Sequence, residues 1–132
     1  MLSLAVTLAD YPLTDTLPLR GSARSRACGS SLELGLALDG DAISDLGLLT
    51  QACAVGQAAA AIFAAAARGR TREDIRLANR HLAAWLAGGP SAPDWPGIEA
   101  LAEARAHPGR HGAIMLPWKA ALDALPMPAP AR

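Results

Sequence analysis

The stretch from Leu32 to Leu38 constrains this chain more than any other. Leu32, Leu34, Leu36 and Leu38 alternate with Glu33, Gly35 and Ala37, a period of two that belongs to a strand with one buried face. Asp39–Gly40 follows at once and signals a hairpin turn, because glycine tolerates a positive φ. A return strand is expected over roughly Ala42–Leu49, and Arg20–Ala27 offers a third strand at the edge. A leucine face of this kind needs a cover. The rest of the chain supplies it. After Cys53 the sequence is alanine-rich as far as Ala67, which favours a helix, and Gly69 ends that helix. Thr71 precedes Asp74 by three, a weaker form of the capping box, and opens a second helix. Its Ile75, Ala78, Leu82, Trp85 and Leu86 fall on one face. Gly88–Gly89–Pro90 stops it. Pro90–Pro96 reads as a loop, Ile98–Ala106 as a short helix, and His107–Pro108–Gly109 as a break. A last helix then runs through about Leu125; Pro117 should lie close to its start or kink it. Strands first and helices afterwards make an α+β fold: an antiparallel sheet of about three strands with helices packed on one face.

The length, 132 residues, suits one small domain with a real core. That domain is expected over residues 19–125, preceded by a weakly structured arm (1–18) and followed by a frayed tail (126–132). Zero formal net charge with 52% hydrophobic residues argues against a general nucleic-acid binder, which normally carries a basic excess. The apolar run Ala58–Ala67 is too short to cross a bilayer, and Arg68 follows it, so no membrane span is expected. The first nine residues lack a basic n-region and a full apolar segment, so no signal peptide is expected either. Two cysteines are no disulfide framework and fit a reduced, cytoplasmic home.

Those cysteines are the main carriers of chemistry. Cys28 lies twelve residues before Gly40 and Cys53 thirteen after it, so the hairpin should bring both sulfurs to one end of the sheet. Cys53 would also sit at a helix N-terminus, where the dipole favours a thiolate, and Arg24 and Arg26 add positive charge near Cys28. A pair of thiolates suits zinc or iron. The competing reading treats each cysteine as a small buried hydrophobe. Arg72, Arg76 and Arg80 recur every four residues and form a positive stripe, which either docks an acidic partner or is a solvated helix face. Trp85 belongs to the core, and Trp95 and Trp118 should pack. No Ser/His/Asp triad, phosphate loop or carboxylate pair stands out.

Three segments, in order and with compatible spacing, resemble the iron–sulfur cluster assembly scaffold family (NifU N-terminal domain, IscU and SufU). CGSSLELGLALDGDAISD, beginning at Cys28, is similar to the family's first segment, where Cys-Gly-Asp leads into a strand and hairpin. ACAVGQAAAAIFAAAARGRT, containing Cys53, is similar to the second, where a cysteine begins a small-residue helix ending in a basic-Gly-basic stretch. IEALAEARAHPGRHGAIMLPWKAAL resembles the third: a short helix, a proline break, then a cysteine shortly before Leu-x-Trp-Lys-Ala. The resemblance spans roughly residues 25–125. The long interval before the third segment is nearer to SufU-type members than to IscU-type ones.

What this resemblance implies is a SufE/NifU-like fold. It also implies a site that binds iron or an iron–sulfur cluster transiently through Cys28 and Cys53, with zinc as another metal. A cysteine desulfurase and recipient apo-proteins would be its partners. No intrinsic catalysis goes with a scaffold. A SufU-like protein would instead be a zinc-dependent sulfur acceptor, a sulfurtransferase. Two departures bear on this. The family's Asp after Cys-Gly is Ser30, and its third cysteine aligns with Ala113, preceded by Gly112 where IscU-type members carry His. Alanine ligates nothing, whereas a structural zinc site normally takes four protein ligands. His111 is the substitute ligand within reach, or else an exposed histidine at the start of a helix. Loss of ligands also favours a third role, a non-catalytic regulatory or interaction protein that kept the fold.

Overall fold

The computed structural model describes residues 2–127. In chain order it contains helix α1 (Leu2–Val6), strands β1 (Leu19–Arg24), β2 (Ser31–Asp39) and β3 (Ala42–Gln51), and helices α2 (Ala54–Ala66), α3 (Arg72–Leu86) and α4 (His111–Ala124). Short 3-10 segments occupy Thr7–Asp10, Ile98–Ala106 and Pro108–Arg110. The strands form one antiparallel sheet in the order β1-β2-β3. This is the α+β architecture that the leucine alternation and the later helical segments imply.

The hairpin turns at Gly40, whose φ of 64° is the left-handed geometry that glycine adopts without strain. Its register pairs Leu36 with Leu46 and Leu34 with Leu48, and ends at Ser31 opposite Gln51. Leu32, Leu34 and Leu36 are buried, each no more than 1% exposed, while Glu33 faces solvent. Burial of each such leucine is worth about 1.5–3 kcal/mol relative to exposure. Leu38 is only partly buried, because the register shifts between Ala37 and Leu38 and breaks the alternation near the turn. Strand β1 stops at Arg24, short of the expected Ala27. The chain from Ser25 to Ser30 folds instead into a turn, closed by bonds from Ser25 N–H to the Ser30 carbonyl (2.8 Å) and from Gly29 N–H to the Ser25 carbonyl (2.9 Å).

Helix α4 lies across β1 and β2, and α2 and α3 pack against α4. Phe63 and Trp95 stack with ring centroids 5.4 Å apart, and Trp118 meets both edge-on. Trp95 Nε1–H donates to the Ile62 carbonyl at 2.9 Å, so that polar edge is satisfied inside the core. Trp85 is buried too, with the Arg105 guanidinium 4.9 Å above its ring. Helix α3 opens on a full capping box: Asp74 N–H donates to Thr71 Oγ1, and Thr71 N–H donates to the Asp74 carboxylate. Helix α4 starts at His111 and continues through Pro117, rather than beginning beside it. Pro117 removes a single N–H from the helix ladder, and Ile114, Leu116 and Trp118 are anchored in the core on both sides of it. Among the described residues, no helix is long and apolar enough to cross a membrane.

The first eighteen residues correct the expectation of a weakly structured arm. Helix α1 packs on α2. Leu48 N–H donates to the Tyr11 carbonyl at 2.9 Å, and Pro12 makes a parallel bridge to Leu48 on the open edge of β3. Leu17 is 3% exposed. The physical reason is a notch in the sheet face that carries no helix. Gly35 and Gly47 are paired across β2 and β3, and a Cβ on Gly47 would collide with the Pro12 carbonyl. Beyond Met127, the tail expected over 126–132 lies outside the described residues.

Candidate functional site

The register that pairs Ser31 with Gln51 on one side pairs it with Arg24 on the other. All three strands therefore end together. Beyond this end lie the turn carrying Cys28 and the short link carrying Cys53. Both cysteines are free thiols and both are exposed. Cys53 is the N-cap of α2, in extended conformation, and its carbonyl accepts from Gln57 N–H at 2.9 Å. The Gln57 side chain donates to the Ala52 carbonyl at 2.9 Å, which fixes the same link from its other side.

Cys28 is held in a more specific setting. Its thiol donates to Ser30 Oγ at 3.0 Å. Ser25 and Ser30 are the two buried polar residues here, 5% and 4% exposed. The Ser25 hydroxyl first, and the Ser30 hydroxyl and backbone next, hold the Cys28 pKa below its ordinary value, because once the proton leaves, these groups can donate to the sulfur and so favour the thiolate. Ser30 occupies the position where the resemblance expects an aspartate. It touches the sulfur but brings no negative charge.

The start of α4 meets both cysteine segments. Gly112 lies directly under Ser25, so closely that a Cβ on residue 112 would overlap the serine hydroxyl. Ala113 is fully buried, and its Cβ lies 3.3 Å from where a Cβ on Gly56 would stand, in the first turn of α2 after Cys53. His111 is half-buried, with Nε2 2.9 Å from the Arg105 carbonyl. A carbonyl only accepts, so Nε2 carries the proton and Nδ1 holds the free lone pair. Among the described residues, no three His, Cys, Asp or Glu side chains gather into a set able to hold a metal ion. Ser25 escapes a reading of the sequence altogether, since its role comes from the turn and from Gly112, eighty-seven positions away.

The remaining candidates lie elsewhere. Thr71 bridges Ala42, at the hairpin-turn end of the sheet, so the arginine stripe begins far from the cysteines. Arg76 in that stripe pairs with Glu73. A groove of about 360 Å³ between Leu38, Asp41, Arg72, Leu125 and Met127 opens at the same end and touches neither cysteine.

No protein-family model and no curated protein sequence matches the chain. Solved structures do. A nitrogen-fixing NifU-like protein (N-terminal) from Brucella abortus superposes with a TM-score of 0.80 at 21% identity, covering 92% of this chain and 88% of its own. A protein described as an iron–sulfur cluster assembly scaffold for the SUF system, from the thermophilic Fervidobacterium islandicum AW-1, superposes with a TM-score of 0.83 at 20% identity, covering 95% and 93%. The chain thus has the fold of NifU- and SufU-type proteins over nearly its whole length.

Proposed function

We propose that this chain works in iron–sulfur cluster assembly as a scaffold-type protein, whose domain of residues 19–125 takes up iron or a cluster in transit through Cys28 and Cys53. One observation carries this reading. Two free, exposed thiols and the start of α4 lie at one end of the sheet, in a fold shared with a NifU-like protein and with a protein described as an iron–sulfur cluster assembly scaffold. Thiolates suit iron, and exposure suits cargo that must arrive and leave. A cysteine desulfurase would supply sulfur, recipient apo-proteins would take the product, and a reducing compartment such as the cytoplasm would keep both thiols free.

The setting of Cys28 favours a second reading, sulfur acceptance. An exposed thiol already hydrogen-bonded to a buried serine is poised to attack the outer sulfur of a donor's cysteine persulfide. The donor thiolate leaves, and Cys28 retains the transferred sulfur as a persulfide. A zinc-dependent form of this site would draw on His111 through Nδ1, and since His111 does not gather with the two thiols among the described residues, its side chain would have to move to join them.

Purification without oxygen, followed by measurement of iron, acid-labile sulfide and zinc per chain, tests these readings. Iron and sulfide lost together in Cys28→Ser and in Cys53→Ser support the scaffold. Zinc alone, with a persulfide formed only when Cys28 is present, supports the acceptor. Absence of metal, sulfide and persulfide leaves a regulatory or interaction protein that kept the fold.

A further inference from the structure

The two outer edges of the sheet are finished differently. On β3, Leu48 N–H donates to the Tyr11 carbonyl and Ile43 N–H to the Arg70 carbonyl, both at 2.9 Å, and the Ile43 carbonyl accepts from Gly69 N–H at 2.8 Å. Leu46 N–H donates to the Asp45 carboxylate at 2.9 Å. The arm, the link after α2 and one side chain thus close that edge. On β1, among the described residues, no backbone group outside the sheet bonds to the main chain of Arg20, Ser22 or Arg24. Those residues face outward, because an antiparallel strand turns the N–H and C=O of alternate residues to one side. Ser25 N–H, just past the strand, bonds inward to the Ser30 carbonyl, whereas Ser22 N–H points out to the Asp123 carboxylate at 3.0 Å. A single exposed aspartate on α4 is what covers this edge.

An unpaired edge is a template for another strand. We propose that the outer edge of β1 docks an extended, acidic segment of a partner protein, which adds to the sheet as a fourth strand. An incoming carbonyl takes over Ser22 N–H, and Asp123 swings aside; the negative charge of Asp123 keeps the affinity low. Grooves of about 340 and 310 Å³ lie along the strand, the first reaching from Arg20 to Asp123 and the second from Ser22 to Arg24.

Charge selects the occupant. Arg20, Ser22 and Arg24 are exposed on the face opposite the helices, and Arg24 belongs to neither ion pair of the described residues, Arg68–Asp45 and Arg76–Glu73. Acidic side chains directly opposite these arginines attract, and basic ones repel. A second copy of the chain is therefore the wrong occupant. Antiparallel pairing of β1 with itself about Ser22, the register that uses most of so short a strand, sets Arg20 of each copy against Arg24 of the other. The arginines that reject self-pairing accept an acidic strand. Beyond Arg24 the chain enters the Cys28 turn, so a docked segment ends beside that thiol. What the thiol then does rests on the proposed function; the docking does not.

The probe is a short capped peptide in which valine alternates with threonine or glutamate, its glutamates spaced as Arg20 and Arg24 are. It is titrated into the reduced wild-type chain, with backbone amides followed by NMR. Expected are saturable binding and slowed hydrogen exchange at the amides of Arg20 and Arg24, with none at Leu48. Binding weakens by about tenfold in Arg24→Glu and tightens in Asp123→Ala. It is lost for a peptide of the same charge with proline in place of threonine, because proline has no N–H for the ladder. Equal binding of the proline peptide reveals a charged patch rather than a strand site and overturns the proposal. So does a lack of binding to both the wild-type chain and Asp123→Ala, which leaves Asp123 as a guard that merely shuts the edge. A wild-type chain that pairs with itself through β1 overturns the choice of occupant. The two peptides are compared on the wild-type chain, so a misfolded variant does not decide the outcome. No metal and neither thiol takes part, so failure here leaves the proposed function standing.

Discussion

Ser25 and Ser30 close around Cys28 from the two ends of one turn, and this contact has a measurable consequence. Both hydroxyls favour the thiolate, with Ser25 contributing most, so Cys28 ionises below the ordinary cysteine range. In a Cys53→Ser background, the rate of alkylation against pH should rise with a midpoint below that of a free thiol. Ser25→Ala and Ser30→Ala should each move the midpoint up and slow the reaction near neutral pH. An unmoved midpoint would show that the serines do not act on the sulfur. The replaced ligand positions give a second test. Ser30→Asp with Ala113→Cys adds two donors to the chain's own set, and zinc should then bind one per monomer and far more tightly than in the unaltered protein. Ala113 is fully buried beside Gly56, so the added sulfur should cost about 1–3 kcal/mol in urea unfolding. Chelator competition at a single pH reads the affinity; equal affinity in both proteins would contradict the assignment of Ala113.

At the level of elements, what was legible depended on how local the signal was. The leucine alternation, the Asp39–Gly40 turn and the Thr71–Asp74 cap each act within a few residues, and each appears where expected. Thr71→Ala should remove one arm of the capping box and lower stability by about 1 kcal/mol; an unchanged urea midpoint would mean that the cap is redundant. The arm was illegible for the opposite reason. Residues 11–17 have no period of their own, and their place is set by a notch at Gly35 and Gly47, in strands that follow them. Gly47→Ala should push the Pro12 carbonyl off β3, destabilise the protein by about 1–3 kcal/mol and speed proteolysis before Leu17. Proteolysis at the unaltered rate would show that the arm does not depend on that notch. The end of β1 is hidden on similar grounds, because alternation cannot reveal that Ser25 turns inward to meet Gly112.

In the whole molecule, the sheet and helices do one thing for the site: they bring three distant segments to one end. Cys28 follows from the β1–β2 turn, Cys53 from the start of α2, and Gly112–Ala113 from the start of α4. The attachment of both cysteine segments to the same end of the sheet is legible in their even spacing about Gly40, since antiparallel register converts spacing into position. The contact of α4 with both segments is not, because it depends on glycines that let backbones approach, at positions 56 and 112. The arginine stripe and the groove at the turn end share no residue with this site. The most direct test of the scaffold reading is anaerobic reconstitution with ferrous iron and sulfide, followed by visible absorption and circular dichroism. Sulfur-to-iron charge-transfer bands should develop with the wild-type chain and be absent in Cys28→Ser and Cys53→Ser. Bands of equal strength in the variants, or none with the wild type, would contradict a cluster held by these two cysteines.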